Sequence, residues 1–293
     1  MNTSVAFRLG RVSNLPTVWT NCLAGALLSG NFLFDIRLFL LLASMSLLYI
    51  SGMFLNDAFD NAIDARERPN RPIPSKQVYV PEVFAWGILL MLWGLLILFS
   101  TPIQEIRQEK GLIGVNSHIT AICLCLLIVF YDWKHKENPF SPFVMGMCRG
   151  MLYITAGLMY TSVINTQLAV GAAIVFAWTI GLTFLARQEA LDKVEKYWPV
   201  LFLLLPVIYG IQASTSSVIW ITLFLIISAI GYSIYIIHSH KIGRVGIAVS
   251  TLIASLSLLD GLLIAISGYE LIAPAVSMTI LITLFLQKYV PGT

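Results

Sequence analysis

Long apolar stretches recur along the whole chain, and they constrain its fold more than any other feature. Of the 293 residues, 58% are hydrophobic and only 11% are charged, whereas soluble domains carry about 25% charged residues. A helix of about 20 apolar residues crosses a bilayer, and no polar stretch reaches the length of about 50 residues that a separate soluble domain needs. Residues 1–293 are therefore predicted to form a single all-α, polytopic membrane domain.

Ten transmembrane helices are predicted if each apolar stretch crosses the membrane once. They lie near residues 15–34, 37–56, 80–101, 112–131, 142–161, 166–186, 198–212, 217–237, 245–267 and 271–287. Nine is the alternative count, because the 198–212 stretch is short and the last two stretches can form one broken or re-entrant element.

The positive charges predict the orientation. With ten spans and the N-terminus inside, fourteen lysines and arginines fall on one side, three fall on the other, and Arg149 lies within a span. The richer side holds Arg8, Arg11, Arg66, Arg68, Arg71, Lys76, Lys134, Lys136, Arg187, Lys193, Lys196, Lys241, Arg244 and Lys288. Positive residues collect on the cytoplasmic side. We expect a multi-pass protein of the bacterial inner (plasma) membrane in contact with lipid, with no nucleic-acid surface and no inferable protein partner.

An acidic segment follows the second predicted span. If the helix continues, Asn56, Asp57, Asp60 and Asp64 lie within about 100° of one another around its axis. Carboxylate and amide oxygens suit Mg²⁺, which is usually completed by substrate phosphates. The segment predicts a magnesium and diphosphate site. The alternative is a solvated helix end.

A proline-rich segment, 68–75, comes directly after the acidic one. Its prolines fix φ and bar a helix, so an ordered, extended loop is predicted. Nearby Arg66, Arg68 and Arg71 either pair with phosphate oxygens or follow the charge rule for membrane topology, and both interpretations stay open.

The pattern Asn-Asp-x-x-Asp-x-x-x-Asp at 56–64, followed by Arg-Pro-x-Arg-Pro-Ile-Pro-Ser at 68–75, resembles the first signature of the UbiA superfamily of membrane prenyltransferases. The span layout is similar over nearly the whole chain, although Lys76 stands where many members have Gly. The resemblance implies a helical bundle around a central cavity open to lipid. It also implies two Asp-rich cytoplasmic motifs that bind Mg²⁺ and an isoprenyl diphosphate.

The resemblance implies roles for individual residues of the first motif. Asn56, Asp60 and Asp64 match its metal-binding positions, and Asp57 is its second residue, beside the substrate. Asp60 and Asp64 are then the catalytic carboxylates of this motif.

A second group of polar residues ends the fourth predicted span. Family members have a Tyr followed shortly by Lys or Arg at this place, and these side chains contact the diphosphate. The resemblance gives that role to Tyr131 and to Lys134 or Lys136. An interfacial aromatic residue with lysines set by the topology rule is the alternative.

A third group occupies the position of the family's second motif, commonly Asp-x-x-x-Asp. This chain has Gln188-x-x-x-Asp192, preceded by Arg187 as a substrate contact, and Glu189 lies between them. Glu189 and Asp192, the latter also catalytic, form an altered metal site, or the segment is an ordinary charged loop. The segment 186–190 is similar to the EboC-like branch of the superfamily.

Three polar residues lie inside predicted spans, where they need a partner or a function. Arg149 is the candidate for lining the substrate cavity, and Asp260 for a contact between helices. Asn21 either faces the cavity or makes an interhelical hydrogen bond.

Two functions follow. The first is Mg²⁺-dependent transfer of an isoprenyl group from a prenyl diphosphate to a lipophilic or aromatic acceptor within the membrane. The second is a non-catalytic protein that binds or transports an isoprenoid or another lipophilic metabolite, because Gln188 dilutes the second acidic motif.

Overall fold

The computed structural model describes residues 1–101, 104–105, 112–135, 138–188, 198–213, 216–239 and 243–292. These residues form helices α1 (Thr3–Leu9), α2 (Leu15–Leu28), α3 (Ile36–Phe59), α4 (Asn61–Glu67), α5 (Val80–Phe99), α6 (Val115–Lys134), α7 (Ser141–Leu158), α8 (Thr166–Ala186), α9 (Val200–Gln212), α10 (Ser217–Ile237), α11 (Arg244–Ala254), α12 (Leu256–Ile266) and α13 (Ala273–Gln287). A 3₁₀ turn covers Val12–Asn14, and short antiparallel strands β1 (Gln104–Glu105) and β2 (Leu112–Ile113) pair with each other.

The helices confirm the all-α membrane architecture. In the described part of the chain, six helical segments are long and apolar enough to cross a membrane: α3, α5, α6, α8, α10, and α11 with α12. Helices α9 and α13 are apolar but shorter. Each predicted span overlaps a helix, yet the count of nine or ten crossings is not confirmed.

The ninth predicted span is divided. Helix α11 ends at Ala254 and α12 begins at Leu256, with Ser255 between them. The Ser255 hydroxyl donates to the carbonyl of Thr251 at 2.8 Å. Serine hydroxyls that bond back to the preceding turn bend helices, which fits an interruption at this position.

The core forms where α2 packs against α7, α8 and α12. Helix α12 is buried over nearly its whole length. Close approach of α2 and α7 depends on Gly25, because a Cβ placed there would stand 2.5 Å from the carbonyl oxygen of Tyr153. Small residues that let helix backbones approach are typical of membrane helix interfaces.

The two ends of the bundle are tied by different contacts. At one end Arg187 donates to the carbonyl of Asn138 at 3.0 Å, which joins the end of α8 to the segment before α7. At the other end Arg37 donates to the carbonyl of Met159 at 3.3 Å, and Asn165 to that of Leu28 at 3.0 Å. The first end carries the segments that the charge distribution predicts to be cytoplasmic.

Candidate active site

The acidic segment lies where α3 ends. The helix stops at Phe59, Asp60 forms the junction, and α4 begins at Asn61. The continuous helix considered from the sequence is therefore interrupted at Asp60. The polar side chains are nevertheless gathered and buried, with exposed fractions of 7%, 5%, 5% and 1% for Asn56, Asp57, Asp60 and Asp64. Four buried polar groups need partners.

Two arginines partner these carboxylates. Arg71 NH1 lies 3.2 Å from Asp57 Oδ1 and 2.7 Å from Asp64 Oδ2. Arg11 NH2 lies 3.0 Å from the same Asp57 oxygen. Burial acts to lower the pKa of Arg11, but neighbouring negative charge, foremost that of Asp57, more than offsets it and raises this pKa. The Arg11 guanidinium is therefore firmly charged.

Arg71 is placed by the proline-rich segment. This segment is a series of turns rather than the extended loop predicted from sequence. The amide of Ser75 donates to the carbonyl of Arg71, and that of Gln77 to the carbonyl of Pro72, at 3.0 and 2.9 Å. Proline's fixed φ also suits the second position of tight turns, and this alternative use of proline is the one realised here.

Residues Asn56, Asp57, Asp60 and Asp64 form an acidic cluster, and helix α6 completes it from the opposite side. The Asn56 amide donates to Asp132 Oδ1 at 3.2 Å. His135 Nε2 lies 3.3 Å from Asp60 Oδ2, and its ring stacks on Tyr131 with centroids 4.8 Å apart. The sequence prediction included Tyr131 but assigned no role to Asp132 or His135. The sequence signal that could have identified Asp132 is an acidic residue at the end of an apolar span.

The other predicted basic residues lie elsewhere. Lys134 is exposed, with Nζ 4.6 Å from the centre of the Trp133 ring, and Arg66 is exposed on α4. Arg187 donates to the carbonyls of His135, Asn138 and Pro139, at 3.0 to 3.3 Å. Arg187 thus holds the backbone between α6 and α7 through hydrogen bonds. Three predicted site residues lie outside the described residues: Lys136, Glu189 and Asp192.

An apolar cavity of about 100 Å³ adjoins the acidic cluster between α3, α6 and α7. Tyr131 and Asp132 line it together with Met53, and Arg149 lines it from α7. Gly52 is also in its wall. A cluster of carboxylates therefore borders an apolar space, with the predicted cavity residue Arg149 in that space.

A buried polar network holds Arg149. Its NH1 donates to Asn21 Oδ1 at 2.6 Å. Asn21 Nδ2 in turn donates to both oxygens of Asp260, at 2.9 and 2.8 Å, and the Tyr153 hydroxyl donates to Asp260 as well. Asn21 thus makes the interhelical hydrogen bond of the two alternatives, and Asp260 connects α12 to α2 and α7.

The acidic cluster has the donors for a magnesium ion. Within the described residues, Asp64 Oδ1 and Asp132 Oδ2 are buried without a hydrogen-bond partner, which is costly for a carboxylate oxygen. In the same ranges no three His, Cys, Asp or Glu side chains already surround one point. Mg²⁺ usually takes one or two carboxylates and completes its shell with water and phosphate. The residues fit an ion that arrives with a diphosphate.

Comparison with known proteins decides the family. The sequence profile of the UbiA prenyltransferase family matches residues 18–266. The chain belongs to the UbiA prenyltransferase family. The resemblance predicted from the 56–64 and 68–75 segments is therefore confirmed.

Individual UbiA relatives agree with this assignment. The digeranylgeranylglyceryl phosphate synthase of Methanococcus vannielii is 26% identical over 80% of this chain and 77% of its own. The synthase of the same name from Methanococcus aeolicus is 26% identical, and the match covers 61% of each chain, less than two thirds of that relative's length. A solved UbiA homolog from Archaeoglobus fulgidus, bound to GPP and Mg²⁺, superposes with a TM-score of 0.59 at 12% identity, covering 94% of this chain and 99% of that one. The fold is that of UbiA proteins.

Proposed function

We propose that this UbiA-family protein transfers an isoprenyl group from a prenyl diphosphate to a lipophilic or aromatic acceptor within the membrane, with Mg²⁺ as cofactor. The observation that carries the proposal is the pair of unpartnered, buried carboxylate oxygens on Asp64 and Asp132, because Asp132 also lines the apolar cavity. Relatives named as digeranylgeranylglyceryl phosphate synthases, and a fold relative bound to GPP and Mg²⁺, support it.

The donor binds through its diphosphate. Asn56, Asp60 and Asp64 would hold Mg²⁺ together with Asp132. Glu189 and Asp192, at the position of the second motif, would join them. When bound, Mg²⁺ neutralises the diphosphate as charge builds on the leaving oxygen. Arg71 lies 2.7 Å from Asp64, so its remaining donors reach the same region and contribute charge-assisted hydrogen bonds to phosphate oxygens.

The isoprenyl carbons enter the apolar cavity. The bond between the allylic carbon and the diphosphate oxygen breaks, and its electron pair leaves with the diphosphate. The Met53 side of the cavity and the Tyr131 ring shield the resulting allylic cation from water, and an aromatic face stabilises a cation directly. The acceptor then forms the new bond to the allylic carbon and releases a proton.

The active site is proposed to face the cytoplasm of a bacterial plasma membrane. The acidic cluster lies at the same bundle end as Arg11, Arg71 and Arg187. Positive residues are retained on the cytoplasmic side, and soluble prenyl diphosphates reach the cluster from that side.

A non-catalytic isoprenoid-binding protein is the second candidate, and Gln188 favours it. Gln188 replaces a carboxylate of the second motif, and its amide donates to the carbonyl of Phe184 at 3.4 Å. With one carboxylate fewer, diphosphate binding survives while ionisation slows.

One experiment separates the two candidates. Purified protein is incubated with Mg²⁺, radiolabelled prenyl diphosphates of several chain lengths and a membrane extract as the source of acceptor. We expect transfer and diphosphate release in the wild type and loss of both in Asp60→Asn and Asp64→Asn. The matched control is Asp35→Asn, the same chemical change at the other end of α3. Binding without turnover over a full panel of acceptors would establish the non-catalytic function instead.

A further inference from the structure

The apolar cavity between α3, α6 and α7 extends inward from the acidic cluster. Its lining residues lie within 45–53 on α3, 124–132 on α6 and 145–152 on α7. Each of these stretches covers about two helical turns, so the cavity reaches about 11 Å from its polar end into the bundle. Its depth sets how much of a hydrocarbon chain it holds.

Large apolar side chains close the inner end of this cavity. Met45, Leu124 and Leu152 are the lining residues of α3, α6 and α7 that lie furthest from the acidic cluster. All three are buried, and they belong to one hydrophobic cluster. Close-packed side chains leave little free space between them. We refer to Met45, Leu124 and Leu152 as the chain floor.

Arg149 also lines the cavity, but its charged group is bound to another helix. NH1 donates to Asn21 and NH2 to Thr17, at 2.6 and 3.3 Å, and both partners belong to α2. The structure describes all of α2, and none of its residues lines the cavity. Long charged side chains lay their carbon stems along apolar surface while the charged group is satisfied elsewhere. The space between Asp132 and the chain floor therefore suits hydrocarbon.

The length of an isoprenyl chain can be compared with this depth. Each isoprenyl unit adds four bonds of about 1.5 Å, which advance a bent carbon chain by about 5 Å. Two units span about 10 Å and end at the chain floor when the first carbon lies beside Asp132. The cavity volume of about 100 Å³ is also below the roughly 300–1,000 Å³ of sites for larger small molecules.

We propose that the chain floor limits the prenyl diphosphate donor to at most two isoprenyl units. The inference rests on the proposed transfer function and names the length class of its donor. The diphosphate binds at the acidic cluster, and the hydrocarbon ends against Met45, Leu124 and Leu152. A third unit displaces these side chains from a packed cluster, which costs free energy.

Small residues lie directly beyond the chain floor. Ala121 and Ala156 follow Leu124 and Leu152 by one turn along α6 and α7, and both are fully buried. Residues three or four apart share a helix face. Next to them, Thr155 Oγ1 donates to Thr120 Oγ1 at 3.0 Å and joins the two helices. Removal of a floor side chain therefore opens about one further turn, or about 5 Å, which is the length of one isoprenyl unit.

The test measures equilibrium binding of prenyl diphosphates with one, two, three and four isoprenyl units in the presence of Mg²⁺. The wild type is expected to bind the three- and four-unit donors about tenfold more weakly than the two-unit donor. Leu152→Ala is expected to raise the affinity for the three-unit donor by about tenfold, because the added unit becomes buried. The affinity for the one-unit donor is expected to stay unchanged.

Met45→Ala enlarges the same end of the cavity from α3 and is expected to have the same effect, so the test stands if one of the two variants does not fold. The control is Leu98→Ala. It shortens a buried side chain of the same hydrophobic cluster, but from α5 and outside the cavity lining. This control is expected to keep the preference of the wild type.

Three results would overturn the chain floor. The first is a wild type that binds two- and four-unit donors equally, because the chain then leaves the cavity sideways between the helices. The second is an unchanged length preference in both floor variants, and the third is an equal shift in Leu98→Ala. The measurement needs no turnover. A flat length profile removes the chain floor and leaves the transfer function standing, whereas a sharp profile without transfer removes only the function.

Discussion

The side-chain amide of Asn56 donates a hydrogen bond to the carboxylate of Asp132 across 3.2 Å, and this contact joins the ends of α3 and α6. Asp132 is 4% exposed, and its other oxygen has no partner among the described residues. The proposed metal-binding surface is therefore built from two helices that are distant in sequence. A buried carboxylate oxygen without a partner at this place supports the proposed cation site.

Asp132→Asn is predicted to weaken the apparent affinity for Mg²⁺ by about 10–100-fold. The change keeps the size of the side chain and removes its negative charge. A magnesium titration of prenyl diphosphate binding measures the effect, with Asp35→Asn as the control at the far end of α3. An unchanged titration in Asp132→Asn would remove this residue from the site.

The apolar stretches predicted the bounds of a helix well where the helix and the apolar stretch begin and end at the same residues. The bounds of α8 and α10 match the predicted spans 166–186 and 217–237. The break at Ser255 was missed because hydropathy is continuous across it, whereas the interruption depends on backbone hydrogen bonding. The turns in 68–75 were missed because proline's fixed φ suits both extended and turn conformations.

The sequence motif predicted where part of the candidate site lies. Local spacing groups Asn56, Asp60 and Asp64, which are buried where α3 meets α4. Arg71 contacts Asp64, a contact that the motif did not predict. Arg11 comes from a segment more than forty residues away, and its contact with Asp57 depends on how the N-terminal segment packs. No linear pattern contains that packing. The same reason explains why His135 was missed.

Asp260→Ala is predicted to destabilise the protein by about 2–5 kcal/mol, because it leaves the buried Asn21 amide and Tyr153 hydroxyl without their acceptor. Thermal unfolding in detergent micelles measures the loss. Ser257→Ala on the same helix is the control: its hydroxyl is buried and has no partner among the described residues, so its removal is expected to be neutral or stabilising. Equal effects of the two changes would contradict a network centred on Asp260.

Gly25→Ala is predicted to separate α2 from α7. The added Cβ would meet the Tyr153 carbonyl oxygen at 2.5 Å, a backbone atom that cannot move aside without shifting its helix. We expect a loss of about 1–3 kcal/mol. Gly231→Ala in α10 makes the same chemical change with no described atom within 4 Å, and the higher helix propensity of Ala is expected to stabilise it slightly. The paired melting temperatures test the contrast, which disappears if the α2–α7 packing is loose.

Lys76→Gly is predicted to preserve or raise stability, an unusual result for a change to Gly. Lys76 has a φ of +59°, a left-handed conformation that costs a non-Gly residue about 1–2 kcal/mol. Gly adopts it freely but loses more entropy on folding, about 0.4–1 kcal/mol, so the net gain is expected to reach about 1 kcal/mol. Lys76→Ala is the matched control, since it also removes the exposed side chain but keeps the strained backbone. Its melting temperature should lie below that of Lys76→Gly. The reverse order would mean that the Lys76 side chain, rather than the backbone, stabilises the turn that places Arg71.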